Sequence, residues 1–131
     1  IRNYTVSATT KALDVQGSAR FLGDAEFFSD RRLKKNITLV DNPLEKIRLI
    51  SGNEYIYGGK TTYGLIAQEV LKVMPYAIST SEDDFLTLNY NSIHALTVES
   101  IKSLDTEVEQ LKSRVKFLEE QLGLSYVSTI N

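Results

Sequence analysis

The stretch that decides the fold is IKSLDTEVEQLKSRVKFLEEQL, residues 101–122. Its apolar side chains recur every seven residues at two alternating positions, one β-branched and the other leucine, apart from the terminal Leu122. The β-branched positions are Ile101, Val108 and Val115, and the leucines that follow each by three residues are Leu104, Leu111 and Leu118. This heptad predicts a long helix that packs along one stripe against partner helices.

Charged residues flank the stripe in a complementary pattern. Glu107 stands five residues before Lys112, and Arg114 stands five residues before Glu119, which suits bridges between parallel helices. An amphipathic helix packed on its own domain is the alternative. Ile or Val at the first position with Leu at the second favours a coiled coil of two parallel helices, so the helix alone does not fix the number of chains.

Composition excludes several functional classes. The chain has 131 residues, 42% hydrophobic, with a formal net charge of -2, which fits one domain and does not resemble a basic nucleic-acid surface. There is no cysteine, and the single histidine, His94, cannot form a metal cluster and is interpreted as structural. We therefore expect no metal, no cofactor, no nucleic acid and no membrane span. The chain begins without methionine and in mid-pattern, as if it continued a longer polypeptide.

Outward from the heptad, residues 29–95 predict an α+β domain with short helices and a small antiparallel sheet. The first predicted helix starts at Pro43, is capped by Asp41 or Asn42, and has Leu44, Ile47 and Ile50 on one face. Two strands are predicted around the turn Gly58–Gly59, followed by a helix over Ala67–Val73 that Pro75 stops. A further strand has Phe85, Leu86, Leu88 and Tyr90 as its apolar residues. Residues 1–28 predict short strands that pair with something outside themselves. Residues 96–122 are the coiled-coil segment, and residues 123–131 form a β-prone tail.

The segment FFSDRRLKKNI, residues 27–37, carries the candidate chemistry. Ser29 is a small nucleophile beside four basic side chains, and a serine hydroxyl needs a base to remove its proton. A neutral lysine can be that base, because burial and neighbouring positive charges both lower the pKa of an amine. The basic residues are Arg31, Arg32, Lys34 and Lys35. The ordinary alternative is a Ser-Asp helix cap followed by a solvated basic run.

Chemistry on the chain itself needs no substrate pocket. The Ser29 hydroxyl reaches the Phe28 carbonyl through a five-membered ring, and attack there moves the acyl group from nitrogen to oxygen. The ester that results can be hydrolysed by water. Cleavage would then fall between Phe28 and Ser29.

Three motifs, in order, resemble those of the endosialidase-type intramolecular chaperones, the S74 peptidase family. SDRRLKKNI (29–37) resembles its opening signature, GLIAQEV (64–70) followed by Pro75 its second, and LTLNYNSI (86–93) its closing strand and helix entry. The heptads then resemble its C-terminal coiled coil. The resemblance covers residues 29–122, and it implies that residues 1–28 are the C-terminal end of a β-structured fibre or spike.

The resemblance implies a homotrimer that brings the upstream fibre domain of the same polypeptide into register and then releases itself by autoproteolysis. It makes Ser29 the nucleophile and Lys34 the general base of a single-turnover serine peptidase that cuts Phe28–Ser29. It allows Asp30 to orient the site, with Gln68 and Glu69 as weaker candidates for support. The implied location is the host cytoplasm during phage assembly, with the fibre in the virion tail and the chaperone released.

Two other functions remain open from the sequence. One is a non-enzymatic trimerisation tip that stays attached to its fibre. The other is a receptor-binding tip, for which Tyr55, Tyr57 and Tyr63 around Gly58–Gly59 are the candidate aromatic patch.

Overall fold

The computed structural model describes residues 13–123 and divides the chain into two units, residues 1–37 and 38–131. In the first unit, residues 31–33 form a short 3₁₀ helix, Arg31–Leu33, and Asp14 is an isolated bridge residue. The remaining described residues of that unit form neither helix nor strand. Short strands were predicted for residues 1–28, but residues 13–28 form none and are exposed throughout, since nothing in this segment supplies the partner that the predicted strands need. Residues 1–12 and the β-prone tail beyond Gly123 lie outside the described residues.

The second unit is α+β, as predicted. In chain order its elements are α1 (Pro43–Ile47), β1 (Asn53–Tyr57), β2 (Lys60–Gly64), α2 (Ala67–Val73), a 3₁₀ turn (Pro75–Ala77), β3 (Ile78–Thr80), β4 (Leu86–Leu88) and α3 (Tyr90–Gln121). The strands form two antiparallel pairs, β1 with β2 and β3 with β4, instead of the one small sheet predicted. β3 was not predicted, because its apolar content is confined to one residue, Ile78.

The hairpin and α2 agree with the sequence prediction. Gly58 and Gly59 both have positive φ angles, 57° and 76°, and they connect β1 to β2 with Tyr57 opposite Lys60. Such a turn needs residues that tolerate the left-handed region, which is why two glycines occur there. α2 ends at Val73, two residues before Pro75, as a proline stop requires.

Three element boundaries differ from the prediction. α1 does begin at Pro43, but its cap residue Asn42 has a φ of 45° and makes no side-chain cap bond, and the helix ends before Ile50. The last predicted strand stops at Leu88, because the Asn89 side chain accepts a hydrogen bond from the Asn91 backbone at 3.1 Å and starts α3 at Tyr90. The long helix therefore begins earlier than residue 96 and includes His94, which is exposed.

The core of the second unit surrounds the first part of α3. Among the described residues, the buried apolar side chains are Val70 of α2, Ala77 of the 3₁₀ turn and Leu96 of α3. Ser100, also buried, donates a hydrogen bond to the Pro43 carbonyl at 3.3 Å and fixes α1 on α3. α3 is thus the element on which the small domain packs.

Tyr90 of α3 attaches the end of the hairpin to this core, and Tyr55 of β1 lies beside the same point. The Tyr90 hydroxyl accepts a hydrogen bond from the Leu65 backbone at 3.2 Å. A Cβ atom placed on Gly64 would lie 2.7 Å from both the Tyr55 and the Tyr90 hydroxyl oxygens. A side chain at position 64 would therefore have to displace both tyrosine hydroxyls.

Within residues 13–123, the rest of α3 is not covered by another element. From Leu104 to Gly123 every residue is exposed except the half-buried Glu119. No helix in residues 13–123 combines the length and apolar content that a membrane span requires.

Candidate functional site

The structure brings Ser29 and Lys34 into direct contact. The Lys34 Nζ lies 2.6 Å from the Ser29 Oγ, within hydrogen-bond distance. Both residues belong to the first unit and to one chain, and both side chains are exposed. The contact is the geometry that proton transfer from a hydroxyl to a neutral amine requires.

The contact depends on the short 3₁₀ helix between the two residues. The Leu33 backbone donates to the Asp30 carbonyl at 3.0 Å, and the Lys34 backbone donates to the Arg31 carbonyl at 3.1 Å. A fully extended chain would separate residues five positions apart by about 17 Å. The turn instead brings the Lys34 side chain back onto Ser29.

Asp30 caps this turn and binds Arg32. Its Oδ1 accepts from the Arg32 backbone at 2.8 Å and from Arg32 Nε at 3.1 Å, while its Oδ2 accepts from Arg32 Nη2 at 2.8 Å. The side-chain hydrogen bonds from Arg32, and then the backbone one, lower the pKa of the Asp30 carboxyl below its ordinary value. The same pair raises the pKa of the Arg32 guanidinium.

The structure therefore combines two interpretations that the sequence left as alternatives. Asp30 is a helix cap, and the basic run after it is exposed, as the ordinary alternative predicts. The same turn also places a lysine amine on the serine hydroxyl. The hydrogen bonds of the Asp30 carboxylate go to Arg32, and an orienting role of Asp30 in catalysis stays a prediction.

Phe28, on the other side of the candidate scissile bond, is 96% exposed. No other element of the described first unit covers the Phe28–Ser29 peptide bond. The serine–lysine contact already exists within one chain, whereas the shielding from water does not.

Gln68 and Glu69 lie on α2 in the second unit. Gln68 is exposed, and the Glu69 carboxylate accepts hydrogen bonds from the Ser51 backbone at 2.8 Å and the Ser51 hydroxyl at 3.3 Å. These contacts connect α2 to the residues that precede β1. A supporting role in catalysis stays a prediction for both residues.

The pleat of the hairpin divides the candidate aromatic patch: Tyr55 and Tyr57 share one face, and Tyr63, opposite Glu54, lies on the other. Tyr57 and Tyr63 are 79% and 74% exposed, whereas Tyr55 is half-buried against Gly64. Residues 13–123 contain no cluster of histidine, cysteine, aspartate and glutamate suited to a metal ion.

Arg32 is the residue whose particular contact sequence reasoning missed. It was grouped with Arg31 and Lys35 as a source of positive charge, but its guanidinium is paired with Asp30. The signal was the spacing: a capping aspartate two residues before an arginine lets one carboxylate bind both the backbone and the side chain of that arginine.

Comparison with known proteins agrees with the resemblance seen in the motifs. Residues 29–79 match the peptidase S74 family, described as the chaperone of endosialidase. The match begins at Ser29.

The similar proteins are long tail fibre proteins of phages. Long tail fiber protein Gp37 of Salmonella phage S16 is 36% identical over 117 residues, 79% of this chain and 16% of that protein. Those of Enterobacteria phages K3 and M1 are 35% identical over 98 residues and 29% over 112, covering 66% and 74% of this chain. The matched segment spans only 8% and 43% of these two proteins. Residues 29–79 of this chain are therefore identified, by the family match and by the motifs at 29–37 and 64–70, as a segment of the peptidase S74 type, the chaperone of endosialidase.

Proposed function

We propose that this protein is an intramolecular chaperone that trimerises and registers a phage tail fibre and then releases itself by cutting between Phe28 and Ser29. The observation that carries the proposal is the 2.6 Å contact between Lys34 Nζ and Ser29 Oγ, directly after the bond to be cut. The family match that begins at Ser29 and the tail fibre relatives support the same assignment.

The chemistry proceeds in two steps. The neutral Lys34 amine takes the hydroxyl proton of Ser29, and the oxygen attacks the Phe28 carbonyl carbon. As the tetrahedral intermediate collapses, the bond to the Ser29 nitrogen breaks, and the Lys34 ammonium returns the proton to that nitrogen. Water then hydrolyses the ester, leaving a carboxylate on Phe28 and restoring the Ser29 hydroxyl.

The heptad stripe of α3 supports the assembly role. Its seven apolar residues are between 45% and 74% exposed in the single chain. A contiguous exposed apolar stripe of this kind marks a protein interface. The residues are Ile101, Leu104, Val108, Leu111, Val115, Leu118 and Leu122.

Association through this stripe would help the fibre to fold. Flat β-pairing tolerates slips in register, and joining distant chains costs entropy before contacts form. A coiled coil forms from local contacts and raises the effective concentration of the strands attached to it. Once the fibre has folded, removal of the chaperone leaves a product that is kinetically stable without it.

Packing of protomers also provides a way to couple cleavage to assembly. Burial favours the neutral form of an amine, and in one chain the serine–lysine pair is exposed. Shielding of residues 29–34 by neighbouring chains would therefore activate a pair whose geometry already exists.

Intact mass of the freshly expressed protein tests the proposal. We expect a fragment that starts at Ser29 from the wild-type chain and none from Ser29→Ala. Light scattering of the Ser29→Ala protein should give the mass of three chains. A wild-type chain that remains whole as a trimer would overturn the proteolytic part and leave the assembly part.

That outcome would favour the second candidate, a trimerisation tip that remains attached to its fibre. The specific observation in its favour is the exposure of the serine–lysine pair, together with the role of Asp30 as an ordinary turn cap. Dilution separates the two further: cleavage at an unchanged rate in the monomer would refute coupling to assembly.

A further inference from the structure

The contact between Ser29 and Lys34 is exposed, so it needs local restraints to persist. A 3₁₀ helix of three residues has few hydrogen bonds of its own and poorer hydrogen-bond geometry than an α-helix. What restrains this one is the Asp30 carboxylate, which accepts from the backbone of the turn and from two atoms of Arg32.

The Asp30–Arg32 pair has a second effect, on charge. A carboxylate beside an amine favours the charged ammonium, which cannot accept a proton. Asp30 is the nearest acidic residue in sequence to both Ser29 and Lys34, and Arg32 occupies both of its oxygens. A planar guanidinium can do this, whereas a lysine ammonium binds as a point charge.

We infer that Arg32 is a positioning residue: its paired contact with Asp30 closes the turn that presents Lys34 to Ser29, and it keeps the Asp30 carboxylate from holding the Lys34 amine. This inference rests on the proposed autoproteolysis. It assigns Arg32 a role different from that of Arg31, which carries the same charge one position earlier and takes part in the turn through its backbone carbonyl.

The rate of fragment release in the full-length protein tests this role. Arg31→Ala and Arg32→Ala each remove one positive charge from the same exposed segment, but only Arg32→Ala removes the two side-chain hydrogen bonds to Asp30. The backbone hydrogen bond that caps the turn remains in both variants. We expect Arg32→Ala to slow cleavage about tenfold, because it removes two charge-assisted hydrogen bonds, and Arg31→Ala to change it less than about twofold. Arg32→Lys should restore the rate only in part. Equal effects of the two alanine variants would overturn the inference and leave charge as the explanation.

A double variant separates the two effects of Arg32. In Arg32→Ala the Asp30 carboxylate becomes available to Lys34, whereas in Asp30→Asn/Arg32→Ala a neutral cap replaces it. The double variant should therefore cleave faster than Arg32→Ala, at about a third of the wild-type rate. The rate–pH profile should move to higher pH in Arg32→Ala and return in the double variant, which loss of structure alone would not produce. A double variant no faster than Arg32→Ala would contradict the inference.

Controls keep the outcomes distinct. Arg32→Ala and the double variant differ only in the charge at position 30. Both keep the other charged side chains of residues 13–37, which are Asp14, Arg20, Asp24, Glu26, Arg31, Lys34 and Lys35. In the Ser29→Ala background, circular dichroism and light scattering of each variant should match those of Ser29→Ala alone.

Failure of the proposed autoproteolysis would appear as an intact wild-type chain. The pairing can then still be tested in Ser29→Ala by nuclear magnetic resonance. The Asp30 carboxyl should titrate below its ordinary range and should return toward it in Ser29→Ala/Arg32→Ala. An unchanged Asp30 titration would show that the contact with Arg32 does not persist in solution.

Discussion

The turn at residues 29–34 and the helix α3 differ in whether the contacts needed for their proposed roles form within a single chain. The turn has its serine–lysine contact already formed, at 2.6 Å, through hydrogen bonds between residues at most five positions apart. The distal part of α3 has its apolar stripe formed as a helix but still exposed. Local contacts therefore set the geometry of the candidate site, and contacts between chains are left to supply its burial.

This difference predicts that mutations in the two regions should cause different defects in cleavage and in assembly. Changes to the serine–lysine pair or to the contacts that close the turn should slow or abolish cleavage and leave assembly intact. Changes in the stripe should weaken assembly and slow cleavage as a consequence. If both regions gave the same pattern of defects, the division between local geometry and burial between chains would be wrong.

The largest expected effect is that of Lys34→Ala on the rate of cleavage. Removal of a general base lowers a rate by about 10² to 10⁴-fold, and we expect the upper end because the serine hydroxyl would have no other base within contact. Lys35→Ala is the matched control, since it removes the same side chain from the next position and should retain at least half of the activity. Time-resolved intact mass measures both, and equal losses would remove Lys34 from the mechanism.

The next effect concerns the stripe. Leu111→Asp puts an unpaired carboxylate in the predicted seam, and burial of such a charge should weaken association about a thousandfold or more. Ser113→Asp adds the same charge outside the stripe and should leave the trimer intact. Sedimentation of both variants in the Ser29→Ala background measures association, and their cleavage rates in the wild-type background measure the coupling. Dissociation without slower cleavage would break the coupling.

Leu96→Ala addresses the stability of the small domain. Leu96 is fully buried where α3 meets the rest of the second unit, and removal of a buried leucine side chain costs about 2–5 kcal/mol of unfolding free energy. Leu49→Ala, at a position that is 64% exposed, should cost less than about 1 kcal/mol. Urea unfolding of the uncleaved Ser29→Ala protein compares the two.

Sequence patterns could predict the elements whose signals are local. The Gly58–Gly59 hairpin, the stop before Pro75 and the heptads follow from turn chemistry, proline geometry and side-chain period. The contact between Ser29 and Lys34 was predicted as a pair but not as a turn, because the cap that forms it depends on the particular pairing of Asp30 with Arg32. Asn89 likewise caps α3, so that β4 ends and α3 begins at positions that precede those indicated by the hydrophobic periodicity.

The division into two sheets could not be predicted for a different reason. β3 has three residues with a single apolar side chain, so its pairing with β4 depends on the position of the chain after Pro75 and not on its own pattern. Tertiary context decides short strands of this kind.

Gly64→Ala should produce a moderate loss of stability. The added Cβ would lie 2.7 Å from the Tyr55 and Tyr90 hydroxyls, and displacement of Tyr90 would break its hydrogen bond with the Leu65 backbone. We expect a cost of about 1–3 kcal/mol in urea unfolding. Gly52→Ala meets no atom within 4 Å and should be nearly neutral. Adding Tyr90→Phe to Gly64→Ala removes one of the two clashing oxygens and should recover part of the loss.

The smallest expected effect is the pH dependence of the Asp41–Lys46 pair at the start of α1. The hydrogen bond from Lys46, and then its positive charge, lower the pKa of the Asp41 carboxyl from 3.8. Since the folded value lies below the unfolded one, the pair stabilises the fold above the unfolded pKa, and this contribution is lost as the pH falls through the folded value. Asp41→Asn should therefore be slightly less stable than its parent at pH 7, and the difference should vanish as the pH falls below the folded pKa of Asp41. Thermal unfolding of both proteins from pH 2 to pH 7, in the Ser29→Ala background, measures this, and a gap that stays constant across that range would show that charge does not contribute.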